Sequence, residues 1–127
     1  MSTRSKSAKP ASAGYAEALA LYEKLVATNP EVERKGDTMP YTSRNGHMFS
    51  LLTKEAIVIL RLPEEEREAF IEKYKSKHPV QYGAVMREYV EVPQALLART
   101  RELKKYFDIG YAYAGSLKPK ATSKKKA

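Results

Sequence analysis

Residues 38–52, TMPYTSRNGHMFSLL, place an Asn-Gly pair between two runs of strand-forming residues. A type I′ hairpin turn needs positive φ at both central positions, and Asn45 followed by Gly46 is a pair that tolerates this well. The segment therefore predicts antiparallel strands near 38–44 and 47–53. Its hydroxyl, Arg and His side chains belong to strand faces and a turn under this interpretation, and they form no catalytic cluster.

Strand patterns continue on the C-terminal side of this hairpin. Lys54-Glu55 is a second turn, and residues 56–62, AIVILRL, form a β-branched run that is too short for a helix. Such a run is typical of a central strand that is covered on both faces. Residues 85–92 alternate in polarity, with Val90 on one side and Tyr89 on the other. We expect a meander of three antiparallel strands and a fourth strand at 85–92.

Helical patterns flank these strands. One predicted helix covers about 15–28, a short one covers about 30–34, and two others begin at Pro63 and Pro93. The last part of the chain continues as a helix that Thr100 is expected to cap. The fold class that this order predicts is α+β, with two layers, in which an antiparallel meander sheet is packed by N- and C-terminal helices.

The apolar stripes of the helices predict which side chains are buried. Leu103 and Phe107 lie on the stripe of the last helix, which we expect to pack against the sheet. In the helix that begins at Pro63, Ala69, Phe70 and Tyr74 are expected to face inward.

The charge of the chain is concentrated at its two ends. The 127 residues carry a net charge of +8, and all of it resides in residues 1–13 and 118–127, which contain no acidic side chain. Residues 14–117 are neutral overall and long enough for one hydrophobic core. We therefore expect a disordered basic tail at 1–13, one domain at 14–117, and a disordered Lys-rich tail at 118–127.

Few residues in the sequence are arranged for chemistry. The two histidines, His47 and His78, have no ligand spacing that would indicate a metal site, and the chain has no cysteine. The glycines are isolated, so no phosphate-binding glycine loop is present. We predict no catalytic residue, no metal and no cofactor. No apolar run approaches the roughly 18 residues that span a bilayer, so we expect no membrane contact.

Two strands supply a candidate surface for a ligand or a partner. Tyr41 and Tyr89 lie on predicted strands, and Arg44 and Arg87 lie close to them in sequence. If these four side chains share the open face of the sheet, they line a concave surface that suits binding of a small molecule or a macromolecule.

The C-terminal tail is a candidate contact for nucleic acid. Five lysines in ten residues can neutralise phosphates by releasing counterions: Lys118, Lys120, Lys124, Lys125 and Lys126. Such binding would be weak and independent of sequence. The other interpretation is that these lysines serve solubility alone.

The order of landmarks resembles the TfoX/Sxy N-terminal domain family and, more distantly, the YjbR-like superfamily. The resemblance covers about residues 15–117 and rests on Asn45-Gly46-His47-Met48-Phe49 at the hairpin, on residues 89–97, YVEVPQALL, and on a last helix that contains residues 106–114, YFDIGYAYA. The family typically has Met-Phe-Gly-Gly near the first strand, whereas this chain has Met39-Pro40-Tyr41-Thr42.

The resemblance implies a small bacterial cytoplasmic protein that acts by binding, in a regulatory or adaptor role, and not by catalysis. Its expected partner is another protein, with nucleic acid as a second contact through the tails. The alternative is a domain that binds or transforms a small molecule on the open face of the sheet.

Overall fold

A computed structural model describes residues 11–36 and 38–119. It contains the helices α1 (Ala11–Ala27), α2 (Glu64–Tyr74), α3 (Gln94–Leu97) and α4 (Thr100–Ser116). Its strands are β1 (Tyr41–Arg44), β2 (His47–Leu52), β3 (Val58–Arg61), β4 (Val80–Gln81), β5 (Ala84–Val85) and β6 (Tyr89–Val92). An antiparallel sheet has the strand order β1-β2-β3-β6, and β4 pairs with β5 in a separate ribbon. The predicted α+β class, with helices packed on an antiparallel sheet, is confirmed.

The hairpin between β1 and β2 turns at Asn45-Gly46. Asn45 has a φ of 58° and Gly46 a φ of 79°, so both central residues are in the left-handed region. This is the geometry of a type I′ turn, whose twist matches that of the flanking strands. The predicted hairpin is confirmed.

A β-bulge in β2 sets the direction of its side chains. Thr42 pairs with Ser50 while Ser43 pairs with Met48, so Phe49 is an extra residue without a partner of its own on β1. As a result, Phe49 and Ser50 both point towards the helices, where Phe49 packs against Phe107. Neighbouring strand residues otherwise point to opposite faces, and a bulge is the usual exception.

The central strand β3 is buried along most of its length. Val58, Ile59 and Leu60 are consecutive and are exposed by 1% or less. Leu60 and Val58 contribute to the main core with the helices, whereas Ile59 pairs with Leu51 on the opposite face of the sheet. The prediction of a strand that is covered on both faces is therefore confirmed.

Both outer strands of the sheet are partly covered. On β1, Lys35 exchanges two backbone hydrogen bonds with Tyr41. On β6, the amide of Glu91 donates to the carbonyl of Lys77, and the Ser76 hydroxyl donates to the carbonyl of Glu91. Segments outside the sheet thus form hydrogen bonds with backbone groups of β1 and β6 that would otherwise be free to pair with another strand.

The helices α1, α2 and α4 contribute to one core on the sheet. Leu103 and Phe107 of α4 are fully buried, as predicted, and Phe70 of α2 joins the same cluster. At Gly110, α4 approaches β3 so closely that an added Cβ would lie 2.8 Å from the Arg61 carbonyl oxygen. A larger residue at this position would force α4 away from the sheet.

Four local predictions are wrong. Residues 30–34 form a turn and coil because the Asn29 side chain accepts a hydrogen bond from the Glu31 amide, which favours a turn over a helix. Arg99, and not Thr100, occupies the N-cap of α4. Ala69 is exposed because only Phe70 of the first helical turns reaches the core. Helix α1 begins at Ala11, within the segment assigned to the N-terminal tail.

The predicted strand at 85–92 is interrupted. Residues 84–85 pair back onto residues 80–81, a turn follows at 87–88, and only Tyr89–Val92 joins the main sheet. The interruption creates the ribbon of β4 and β5, whose turn residues Tyr82 and Gly83 have φ values of 55° and 78°. The segment at 80–85 is thus a small hairpin of its own.

Candidate binding site

A groove lies between the β4–β5 ribbon and the face of the sheet that is opposite the helices. Its volume is about 440 Å³. We call it the methionine groove, and its lining residues are Met39, Tyr41, Met48, Leu51, Gln81, Tyr82 and Met86. The bulge in β2 contributes to it, because Met48 and Leu51 point to this face while the two residues between them point to the core.

The methionine groove is almost entirely apolar. Three methionines line it, and the methionine side chain has an unbranched, polarisable thioether that adapts to irregular apolar partners. The hydroxyl of Tyr82 donates to the Met39 sulfur at 3.9 Å. Such a lining can bury apolar atoms, but it supplies few groups that could orient a reacting molecule.

The ribbon beside the groove exposes its apolar side chains to solvent. Within 11–36 and 38–119, the large apolar residues with high exposure are Val80 at 56%, Tyr82 at 90% and Val85 at 50%. All three belong to this one hairpin. Exposed apolar residues that cluster in this way mark an interaction site more often than scattered ones do.

A second hollow of about 350 Å³ lies next to the methionine groove. The two share Met39, Gln81 and Tyr82. Charged side chains line the second hollow as well, namely Lys54, Glu55 and Glu91. An apolar ligand in the groove would therefore have polar neighbours on one side of the ribbon.

The structure separates the four residues of the predicted surface. Tyr41 lines the methionine groove, and Arg87 is exposed in the turn that follows Met86. Tyr89 lies beside the groove, where its hydroxyl donates to the Met48 carbonyl at 2.8 Å. Burial raises the pKa of Tyr89. Arg44 lies elsewhere, and the four side chains do not line one concave surface.

Arg44 and Asn45 contact the C-terminal half of α4. The Arg44 guanidinium stacks on the Tyr111 ring at 4.0 Å and donates to the Tyr111 carbonyl. The Asn45 amide donates to the carbonyl of Gly115 at 3.0 Å. Carbonyls at a helix C-terminus lack partners within the helix and attract donors and cations. The polar side chains of the hairpin therefore dock it onto α4.

A chain of buried hydroxyls connects α1 to the hairpin. The Ser50 hydroxyl lies 2.6 Å from the Tyr22 hydroxyl and 2.5 Å from the Thr42 hydroxyl. All three residues are fully buried, and burial raises the pKa of Tyr22 to about 12. These groups satisfy one another inside the protein, which explains polar residues on a strand face that the helices cover.

Of the lysines proposed to contact nucleic acid, the structure describes only Lys118. Its carbonyl oxygen lies 2.8 Å from His47 Nε2. Lys120, Lys124, Lys125 and Lys126 lie outside the described residues, as do residues 1–10 of the N-terminal tail. Over residues 11–36 and 38–119, no group of three or more His, Asp or Glu side chains is placed to hold a metal ion. No helix in that part of the chain is long and apolar enough to cross a membrane.

Sequence reasoning missed most of the groove. Met39, Met48 and Met86 carry no motif, and Tyr82 is placed by a ribbon of two-residue strands that is too short to show a period. The available signal is the presence of methionines on or beside the strand-like segments at 38–44, 47–53 and 85–92. These methionines come together only because the chain leaves the sheet after β3 and returns to it at β6.

Comparisons with protein-family models, with curated proteins and with solved structures each give no match. The fold defines a small α+β protein, and the groove defines its candidate binding site.

Proposed function

We propose that this protein acts by binding an apolar segment of another protein in the methionine groove. The observation that carries the proposal is the coincidence of two features: the groove has an apolar lining rich in methionine, and the adjoining ribbon exposes Val80, Tyr82 and Val85. A partner segment would cover both at once. Burying exposed apolar area of this kind is the main favourable term in most protein associations.

The conformation of Tyr82 supports this proposal. A bulky residue at positive φ is uncommon, and holding it there costs about 1 kcal/mol or more. The turn nevertheless presents an aromatic side chain that is 90% exposed. Tyrosine is enriched in the centres of protein interfaces because it buries a large area with little loss of side-chain entropy.

The proposed role is non-catalytic and of the regulatory or adaptor type that the TfoX/Sxy resemblance implies, in the cytoplasm of a bacterium. Nucleic acid is proposed as a second, weak contact of the basic tails. The apolar character of the groove favours binding over chemistry, since a catalytic site usually gathers several polar groups on one cavity.

A small apolar molecule is the second candidate ligand of the methionine groove. The volume of the groove favours this candidate. About 440 Å³ falls within the roughly 300–1,000 Å³ that small-ligand pockets occupy. Such a molecule would contact the methionines and Tyr41 but would leave Val80 and Val85 exposed on the ribbon.

Photo-crosslinking in cells tests the proposal. A benzophenone amino acid replaces Tyr82 in the full chain, and the cells are irradiated. We expect one dominant covalent adduct with another polypeptide. The same amino acid at Lys105, which is exposed on α4, serves as the matched control and should give no comparable adduct.

The second arm of the experiment adds the substitution Met86→Glu to the Tyr82 crosslinker. A carboxylate in the apolar groove should abolish the adduct, because burial of an unpaired charge is unfavourable. An adduct of equal yield would contradict the groove as the binding site. If no polypeptide is captured and native mass spectrometry shows a small molecule that Met86→Glu removes, the second candidate is correct.

A further inference from the structure

A hollow of about 470 Å³ lies where the C-terminal end of α1 meets the junction of α3 and α4, away from the methionine groove. We call it the basic hollow. Residues from two separated parts of the chain line it: Lys24 and Thr28, and Ala98, Arg99, Thr100, Arg101 and Lys104. Four of these seven side chains are cationic. No carboxylate is among the lining residues found in the described part of the chain.

Neighbouring acids neutralise only part of this positive charge. Glu102 lies 3.5 Å from Arg99, and Asp108 lies 2.5 Å from Lys104. Lys24 and Arg101 form no salt bridge with any residue of 11–36 or 38–119. The net charge of zero over residues 14–117 therefore conceals a local excess of positive charge at the basic hollow.

The hydrogen bond from Tyr74 holds one of these acids on the side of α2. The Tyr74 hydroxyl donates to Glu102 at 2.5 Å and lowers the pKa of the Glu102 carboxyl. Glu102 is therefore anchored to α2. Its carboxylate accepts hydrogen bonds from both Tyr74 and Arg99.

The N-terminus of α4 adds hydrogen-bond donors to the hollow. The Arg99 side chain at the N-cap accepts no hydrogen bond from the backbone amides of the first turn. The first backbone amides of a helix have no partner within it and carry the positive end of its dipole. Cations at this end of a helix are unfavourable, and the single carboxylate of the first turn, Glu102, offsets only part of the positive charge there.

One polar atom beside the hollow is left without a partner among the described residues. Thr100 lines the hollow, and its Oγ1 atom is buried without a hydrogen-bond partner in the described structure. A buried polar atom without a partner is rare and costs free energy.

We propose that the basic hollow binds a small molecule that bears a diphosphate or triphosphate group. Lys24 and Arg101, which form no salt bridge within residues 11–36 and 38–119, supply the charge. The amides of Thr100 and Arg101 supply donors, as helix N-termini do in other phosphate sites. The hollow is concave and closed by α1 on one side, which suits a compact anion better than an extended strand of nucleic acid.

Titration of the full-length, isotopically labelled protein with sodium pyrophosphate tests this proposal by NMR. We expect saturable shifts of the Lys24, Thr100 and Arg101 backbone amide signals. The double substitution Lys24→Ala and Arg101→Ala should weaken binding about tenfold or more, because two charge-assisted contacts are lost. Both residues are exposed, so the variant should keep the dispersed spectrum of a folded protein.

Lys105→Ala is the matched control, since Lys105 follows Lys104 on α4 but does not line the hollow. Its affinity should change by less than about twofold. An equal loss in the control, or shifts confined to residues 120–127, would overturn the proposal. A parallel titration with a single-stranded oligonucleotide identifies the source of the phosphate. If the oligonucleotide shifts the same amides at a lower concentration than pyrophosphate, the assignment to a small molecule is wrong.

Discussion

Asn45 serves the fold in two ways. Its backbone has a φ of 58° in the turn, and its side-chain amide donates to the carbonyl of Gly115 at the end of α4. Asn is one of the few residues that accept positive φ, and its amide provides the donor that the helix end lacks. Asn45 thus forms the hairpin turn and also holds the hairpin against α4.

Gly46 is the residue at which substitution tests the turn. Gly46→Val should lower the free energy of unfolding by about 1–3 kcal/mol, because a β-branched side chain is strained at a φ of 79°. Gly46→Asn is the matched variant, since Asn tolerates positive φ, and it should lose clearly less. Urea unfolding measures both. Equal stability of the two variants would exclude backbone strain as the cause.

The raised pKa of Tyr22 predicts that the stability of the protein depends on pH. A tyrosine in the unfolded chain loses its proton near pH 10, whereas Tyr22 in the folded protein keeps it until about pH 12. Above pH 10 the unfolded state therefore binds fewer protons than the folded state, and stability falls as the pH rises towards 12. Below pH 10 both states are protonated, so Tyr22 contributes no pH dependence there.

The measurement compares the parent protein with Tyr22→Phe between pH 9 and pH 12. The parent should lose about 2 kcal/mol more than the variant over this range. All other tyrosines are common to both proteins, so their titration cancels in the comparison. Parallel pH profiles would show that the Tyr22 hydroxyl is not held neutral by burial.

Among the elements, α4 has the widest set of contacts. It packs against β1, β2 and β3, its C-terminal end receives the hairpin, and its N-terminal end borders the basic hollow. Phe107 lies at its centre, with its ring 5.4 Å from that of Phe49. The bulge in β2 makes this contact possible because it turns Phe49 towards the helix.

Truncation of Phe107 tests whether α4 is central to the fold. Phe107→Ala should cost about 3–5 kcal/mol, because it leaves a large cavity in a fully buried site. Lys105→Ala, on the exposed side of α4, should change stability by less than about 0.5 kcal/mol. A loss below about 1 kcal/mol for Phe107→Ala would mean that α4 is peripheral.

The elements differ in how far sequence predicted them. The hairpin, β3 and the helices with apolar stripes follow from local patterns, because turn chemistry and periodicity act over a few residues. The ribbon does not, since its two-residue strands contain no period. The bulge in β2 cannot be predicted from the sequence either, because only its pairing with β1 shows that Phe49 is an extra residue. The basic hollow forms only if Lys24 of α1 and Arg101 of α4 lie close together in space. The packing of α1 on α4 determines whether they do.

At the scale of the whole molecule, charge is distributed unevenly. The acidic residues Glu64, Glu65 and Glu66 occupy the first turn of α2, where the helix dipole favours anions. The basic hollow lies at the start of α4, and the sequence places further lysines beyond residue 119. A polyanion would therefore have two candidate contacts, the tails and the hollow.

Binding to duplex DNA separates these two contacts. If the tails are responsible, binding should be independent of sequence and should weaken with salt, with a log–log slope of about −0.9 per phosphate neutralised. Deletion of residues 1–10 and 120–127 should then abolish it, as fluorescence anisotropy would show. Unchanged affinity and slope in the truncated protein would place DNA binding on the folded domain.

The segments that flank the outer strands affect how the protein behaves at high concentration. Residues 76–78 lie along β6, and Lys35 lies along β1, so a neighbouring copy finds part of each sheet border already occupied. Fibril growth by strand addition would first require one of these segments to detach. The free energy of that local opening, and not only the global stability, would then limit how fast the protein aggregates.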